Sequence, residues 1–349
     1  MLAIGLMSGT SLDGIDAALI ETDGEAFVRP IAFRGEPYSD AARAQLAEAT
    51  RMALTFERPR ASPPVVAAGE LITRAHVFAV HKLLADAGVA AADVDVIGFH
   101  GQTIAHRPDR RWTWQIGDGA AVARATGITT VSDFRSADVA AGGQGAPLLP
   151  VYHAALAAGL EGPVAVLNLG GVGNITFIPG GADALVAFDT GPANGLIDSW
   201  VEAETGARYD AGGALAASGR VDETVLTAML DHPFFDAPPP KSLDRNDFTI
   251  QPARGLSAAD GAATLTAFTA ATVADAVRHL PARPVRLLVA GGGRHNPTML
   301  AMIAERTGLV VEPTDTLGWN GDALEAEGFA YMAVRTLKGL PNSFPGTTG

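Results

Sequence analysis

Residues Ile4–Ile20 read IGLMSGTSLDGIDAALI, two apolar runs around a knot of Gly, Ser, Thr and Asp that contains no lysine. Short apolar runs bounded by turn residues predict two buried strands joined by a hairpin, with Ser8–Gly14 at its tip. Glycine lets the backbone turn tightly and approach a ligand closely, and successive N–H groups in such a turn form a nest for an anion. The hydroxyls of Ser8, Thr10 and Ser11 add donors, and Asp13 could hold a magnesium ion or its waters. The same figure returns at Asn168–Asn174, NLGGVGN, again between two strand-like runs. A third cluster, AGGGRHN at Ala290–Asn296, joins a strand to a helix and places N–H groups at that helix's start. Any one of these could be a tight turn without function. Repetition of the first two at matching positions favours a shared ligand.

Working outward, the first half reads as strands at Ala3–Met7, Ile15–Glu21 and Ala26–Phe33. Helices follow at Tyr38–Arg51 and Val65–Ala87, the second with Leu71, Ala75, Phe78 and Leu83 at helical spacing and Gly88 as its cap. Then come a strand at Val94–His100, a helix within Gly117–Gly127, a strand at Ile128–Phe134 and a helix within Ala146–Gly159. In the second half the strands are 163–169, 174–180 and 183–189. Three helices (193–206, 220–232, 257–280), a strand (285–291), a helix (296–308), a strand (309–313) and a closing helix (322–338) complete it. Each half thus repeats strands in hairpins followed by strands joined through helices, which predicts an α/β fold with two mixed sheets. The expected domains are 1–140 with a C-terminal helix from about 322 to 349, and 141–321. The proline-rich stretch Asp236–Phe248 reads as a surface loop or lid.

Composition narrows the function. With 349 residues and 48% apolar content, the chain is long enough for about two domains, each with its own core. A net charge of −13 argues against a nucleic-acid or membrane-surface partner. It also means that any bound phosphate needs local help from N–H groups or a metal. Cysteine is absent, which excludes disulfide and thiolate chemistry and suits a cytoplasmic location. The N-terminus does not read as a signal peptide, and no apolar run approaches the about 20 residues of a membrane span. His76 and His81 lie off one helical face, against a zinc site there. Neither a G-x-x-x-x-G-K-[ST] nor a G-x-G-x-x-G motif occurs, and the three lysines, Lys82, Lys241 and Lys338, stand away from the glycine turns.

AFDTGPANGLIDSW (Ala187–Trp200) carries the best catalytic candidate. Read as a strand ending at Phe188 and a helix starting near Pro192, it puts Asp189 at a junction where the helix dipole favours an ionised base. The bland alternative is a helix-capping aspartate. GFHGQTIAHRP (Gly98–Pro108) sets His100, Gln102 and Thr103 just past a buried strand, where ligands bind in such sheets, or in a polar hairpin loop. Arg135 could answer a ligand carboxylate, or pair with Asp133 or Asp138. Glu325 and Glu327 on the closing helix are, by default, solvated.

Taken together, GLMSGTSLDGIDAALI, FHGQT, DFRSADVAAGGQGAPL, NLGGVGNIT, FDTGPANGLID, PPPKS, GGGRHNP and ALEAEGFA resemble anhydro-N-acetylmuramic acid kinase, collinearly over nearly the whole chain. That family belongs with actin, hexokinase and the heat-shock chaperone ATPases. The resemblance implies two ribonuclease-H-like domains around an ATP cleft, use of ATP and Mg2+, and a homodimer. It implies that Asp189 activates water, with Glu325 a second acidic group near the sugar. It places Gly9, Thr10, Ser11, Leu12, Asp13, Gly14, Ile15 and Asp16, with Gly170, Gly171 and Asn174, at the nucleotide's phosphates. Gly291, Gly292, Gly293 and Asn296 would face the adenosine, and His100, Gly101, Gln102, Thr103, Arg135 and Asp138 the sugar. Two departures stand out. Leu243, Asp244 and Arg245 follow PPPKS where Thr-Gly-Arg is usual, and Gly328 replaces an alanine at a cost of about 1 kcal/mol in helix propensity. A kinase for another sugar or sugar acid, or an actin-like scaffold, are the competing expectations.

Overall fold

The structure, a computed structural model, describes residues 1–180, 184–243 and 247–349. The strand read at 183–189 therefore starts outside the described residues, as do Asp244 and Arg245. The chain divides into two compact units: Met1–Ala158 with Ala323–Pro345 and Gly349, and Gly159–Asp322 with Gly346–Thr348.

Unit 1 begins with β1 (Leu2–Ser8), β2 (Gly14–Thr22) and β3 (Val28–Pro37), an antiparallel meander. Helices α1 (Asp40–Ala53) and α2 (Pro63–Ala87) follow, each starting after a serine. Ser39 Oγ accepts the Ala42 N–H, and Gly88 ends α2 at φ 65°. Then come β4 (Val96–Arg107), β5 (Trp112–Ile116), α3 (Gly119–Thr126), β6 (Thr130–Ser132), α4 (Ser136–Ala141) and α5 (Pro150–Leu156). The sheet order is β3-β2-β1-β4-β5, with β6 pairing parallel to β4.

Unit 2 opens with β7 (Val164–Leu169), β8 (Val172–Ile178) and β9 (Val186–Pro192). Five helices follow: α6 (Asn194–Thr205), α7 (Ala214–Ser218), α8 (Glu223–Leu230), α9 (Pro233–Asp236) and α10 (Ala258–Arg278). It closes with β10 (Arg286–Ala290), α11 (Pro297–Thr307) and β11 (Val310–Pro313). The sheet runs β11-β10-β7-β8-β9. Numbered within its own unit, it runs 3-2-1-4-5, an antiparallel meander and then two parallel strands beyond the first; unit 1 shares the meander and the parallel fourth strand, but there β5 is antiparallel to β4 and β6 is the parallel neighbour. Both sheets are mixed and carry helices, the ribonuclease-H-like plan. Their strands read as apolar runs because helices cover them.

The last helix, α12 (Leu324–Leu337), returns to unit 1. It lies against β1 and β4 at two glycines. A Cβ on Gly5 would come 1.7 Å from Ala326 O, and one on Gly98 2.0 Å from Phe329 O. Those two bare positions let the helix backbone sit on the strands, and so fix where Glu325 emerges.

Several expectations need correction. β4 does not stop at His100 but continues to Arg107, and β5 and α4 were not foreseen. Phe78 is 53% exposed and outside the core. The units divide after Ala158 rather than at 140, because α5 packs on α12. There the Tyr152 hydroxyl donates to Glu327 at 2.6 Å and the Tyr152 and Tyr331 rings lie 5.5 Å apart. Glu327 is therefore buried, not solvated, and burial holds its carboxyl above the usual value. Gly328 faces the same contact: a Cβ there would fall 1.9 Å from Leu149 Cδ2, so more than helix propensity is at stake.

Candidate active site

In unit 1 side chains brace the β1–β2 hairpin tip. Ser8 Oγ donates to Gln102 Oε1 at 2.5 Å, so the Tyr38 hydroxyl, 2.8 Å away, donates to Ser8 in turn. Gln102 Nε2 donates to Gly9 O (3.2 Å) and Thr103 O (3.1 Å). Burial, with help from the Asp13 and Asp16 carboxylates, pushes the Tyr38 hydroxyl up to about 12. At the tip Leu12 takes φ 56° and its N–H closes on Gly9 O at 3.2 Å. The N–H groups of Thr10 and Ser11 donate to nothing among the described residues, and both residues are exposed. Asp13 is exposed and Asp16 half-buried, on the same hairpin.

His100, Gly101, Gln102 and Thr103 lie within β4, not after it, and the first three are buried. Arg135 Nε donates to His100 Nε2 at 3.0 Å, which leaves the proton on Nδ1, bonded to Gly101 O at 2.8 Å. Burial, then the Arg135 charge, holds the His100 pKa well below 6.5. Arg135 also donates to Gly145 O at 2.6 Å, while Asp138 Oδ2 accepts the Gly145 N–H at 2.7 Å. Arg135 and Asp138 thus both hold the glycine turn that follows α4. Thr103 Oγ1 accepts from Gln115 Nε2 at 3.1 Å. Glu325 is half-buried in the first turn of α12, where the helix dipole favours a carboxylate.

In unit 2 the β7–β8 connection is the pair Gly170–Gly171. Its carbonyls cap α6: Gly170 O accepts from Asn194 N (2.9 Å), and Gly171 O accepts from Ala193 N and Gly195 N (3.1 Å each). Asn194 Nδ2 reaches Leu169 O at 2.8 Å. The start of α6 is therefore satisfied from within. The N–H groups of Gly170 and Gly171 themselves donate to nothing among the described residues. A cavity of about 230 Å³ beside this turn is lined by Gly171, Pro192, Gly195, Ser199 and Leu243, among others.

Asp189 departs from expectation. It is a residue of β9, paired opposite Asn174, and the helix begins only at Asn194. It is neither a helix cap nor aided by a dipole. Instead it is 9% exposed, its N–H donates to Lys241 O at 3.0 Å, and its Oδ2 accepts the Leu243 N–H at 2.8 Å. The third glycine cluster follows β10. Gly291 has φ 73°, and a Cβ there would fall 2.4 Å from Asn168 Oδ1. Gly292 is open, and Asn296 caps α11 by accepting the Met299 N–H at 3.0 Å. Arg294, not foreseen, is buried in this cluster. It donates to Gly291 O (3.1 Å), Asp315 (2.8 Å) and Asp322 (2.9 Å).

Oxygen donors suit magnesium, and Asp13 and Asp16 on one hairpin supply them. No group of three His, Asp or Glu that could hold a metal occurs among the described residues.

The anhydro-N-acetylmuramic acid kinase family model matches residues 1–349. The chain belongs to the anhydro-N-acetylmuramic acid kinase family. An anhydro-N-acetylmuramic acid kinase of Rhizorhabdus wittichii is 73% identical over 349 residues, spanning all of this chain and 96% of that protein. Another from Zymomonas mobilis is 55% identical over 352 residues, at 100% and 96% coverage. Among solved structures, component A of (R)-2-hydroxyglutaryl-CoA dehydratase from Acidaminococcus fermentans shares the fold. Its TM-score is 0.52 at 12% identity, over 97% of this chain and 99% of that one. No helix among the described residues is long and apolar enough to cross a membrane. Within this kinase family member, the residues missed from sequence are Tyr38, Lys241 and Arg294. Only Lys241 carried a signal, as one of three lysines and the one within PPPKS.

Proposed function

We propose that this chain is an ATP-dependent kinase that opens 1,6-anhydro-N-acetylmuramic acid with water and phosphorylates O6, releasing N-acetylmuramic acid 6-phosphate and ADP. The observation that carries this is the family match over residues 1–349. It favours this reading over a different sugar or a scaffold.

The chemistry sets the demands. O6 of the substrate is an ether oxygen with no proton to give up, and is a poor nucleophile. Water attacks C1, the C1–O6 bond breaks, and O6 takes the γ-phosphoryl group as ADP leaves. One water proton stays on the new C1 hydroxyl and the other goes to a base. Asp189 is that base. The Leu243 N–H on its Oδ2 favours the ionised form, and burial in β9 holds the carboxylate in one orientation. The undonated N–H groups of Thr10, Ser11, Gly170 and Gly171 bind phosphate oxygens, a backbone substitute for a lysine. Magnesium, held by Asp13 and Asp16, would neutralise phosphate charge. Gly291–Gly293, fixed by Arg294, takes the adenosine side, with Asn296 capping the helix behind it. Thr103, Arg135, Asp138 and Glu325 face the sugar, with His100, Gly101 and Gln102 supporting them from within β4. A homodimer and a cytoplasmic setting, where ATP and recycled sugar meet, complete the proposal.

The test is ADP release with ATP and either 1,6-anhydro-N-acetylmuramic acid or ordinary hexoses. The proposal expects ADP only with the anhydro sugar, in step with loss of its bridge. ADP formed equally with hexoses, or without any sugar, overturns it.

A further inference from the structure

We propose that Lys241 is a positioning residue for Asp189. Its buried ammonium anchors the segment Lys241–Leu243, which grips Asp189 by both main chain and carboxylate. This rests on the reading of Asp189 as the base.

Lys241 is 8% exposed. Burying an ammonium is costly unless its donors are used. Nζ donates to Phe234 O at 2.9 Å and to Phe235 O at 3.2 Å, in α9. It lies 4.6 Å from the Phe234 ring centre and 6.0 Å from that of Phe188, the neighbour of Asp189. No carboxylate ion-pairs with it among the described residues. Asp275 on α10 and Asp236 in α9 favour its charge from farther away, while burial, the larger effect, lowers its pKa. A methionine would fill the same space without the desolvation cost, so apolar packing does not explain a lysine here.

What the ammonium does is fasten a strap. Lys241 O takes the Asp189 N–H (3.0 Å), and two residues on, the Leu243 N–H bonds Asp189 Oδ2 (2.8 Å). The proline-rich stretch before it, Ala237–Pro240, has no N–H in its three prolines to bond elsewhere. The lysine head is thus the tie that joins this segment to α9. β8 pairs neutral Asn174 opposite Asp189, and the strap's N–H favours the ionised carboxylate. The loop expected to be a lid is, at this end, a clamp.

The experiment measures kcat, KM for ATP and the acid limb of kcat against pH for Lys241→Met, Lys241→Arg and Leu243→Pro, with Asp189→Asn alongside. Lys241→Met removes the donors and keeps the length. Its kcat should fall roughly ten- to hundredfold with KM for ATP within about twofold. Its acid limb should move up by roughly one pH unit as the carboxylate loses its N–H. Lys241→Arg should recover part of the rate and the original limb. Leu243→Pro deletes the amide itself, should shift the limb the same way, and decides the matter if Lys241→Met does not fold. An unshifted limb in the folded variants overturns the clamp, even if kcat falls, because that marks a merely structural role. If Asp189→Asn keeps turnover, the base reading fails and the clamp with it. If Asp189→Asn is inactive while the other variants match the parent, only the clamp fails.

Discussion

The two glycine turns occupy the same place in the same topology and are built in opposite ways. The Ser8–Gly14 tip of unit 1 is held from below by side chains, in the chain Tyr38–Ser8–Gln102. The Gly170–Gly171 turn of unit 2 is held chiefly by main chain, its carbonyls consumed by the first amides of α6, with the Asn194 side chain on the preceding Leu169 O. Both leave two N–H groups undonated. A hairpin that must also present carboxylates needs length and hydroxyls, whereas one that only offers amides can shrink to two glycines. The two turns share a place in the meander and differ in their supports.

That contrast can be broken by substitution. The largest effect is expected in the main-chain-built unit, at Gly291. Alanine there meets both a left-handed φ and Asn168 Oδ1, and should cost about 2–4 kcal/mol in denaturant unfolding. Next is Ser8→Ala, which leaves Gln102 Oε1 and the Tyr38 hydroxyl without their buried partner. The expected loss is about 1–3 kcal/mol.

Gly9→Ala and Gly171→Ala sharpen the functional side. A Cβ at Gly9 meets nothing closer than Ser11 Oγ at 3.3 Å, and one at Gly171 meets nothing within 4 Å. Stability should therefore hold, while KM for ATP rises about tenfold in both, near 1.4 kcal/mol each. A rise in only one variant would mean that one turn alone binds phosphate.

The smallest effect is a pH slope confined to unit 1. Burial outweighs the Tyr152 hydrogen bond and holds the Glu327 carboxyl above its usual 4.5. A raised folded pKa means stability fully present below the unfolded pKa and lost as pH rises through the folded one. Glu327→Gln should thus match or exceed the parent by about 1 kcal/mol at pH 7, the difference shrinking on acidification towards pH 4. Thermal melts across that range measure it.

The succession of strands and helices along most of the chain and the three glycine clusters were legible because helix-covered strands read as apolar runs and turns demand glycine. What escaped the sequence had specific causes. β4 continues past His100 through polar residues that pair with β5, so its pattern imitates a loop. Pro192 suggested a helix start, yet it ends β9, an edge strand where a missing N–H is tolerated. Asp189 therefore lies within a strand and not at the helix junction expected of it, and the Leu243 N–H on its carboxylate is a main-chain contact that no motif encodes. Glu327 reads as solvated because charge usually is, and its partner Tyr152 lies far off in sequence; Lys241 falls in a stretch read as a surface loop or lid, and its acceptors are main-chain carbonyls of α9.

The most direct test of the central claim is turnover by Asp189→Asn at saturating ATP and 1,6-anhydro-N-acetylmuramic acid, with nucleotide binding measured on the same protein. The account predicts a fall in ADP release of about a hundred- to ten-thousandfold with ATP affinity essentially retained. Near-parental turnover by that variant would contradict it.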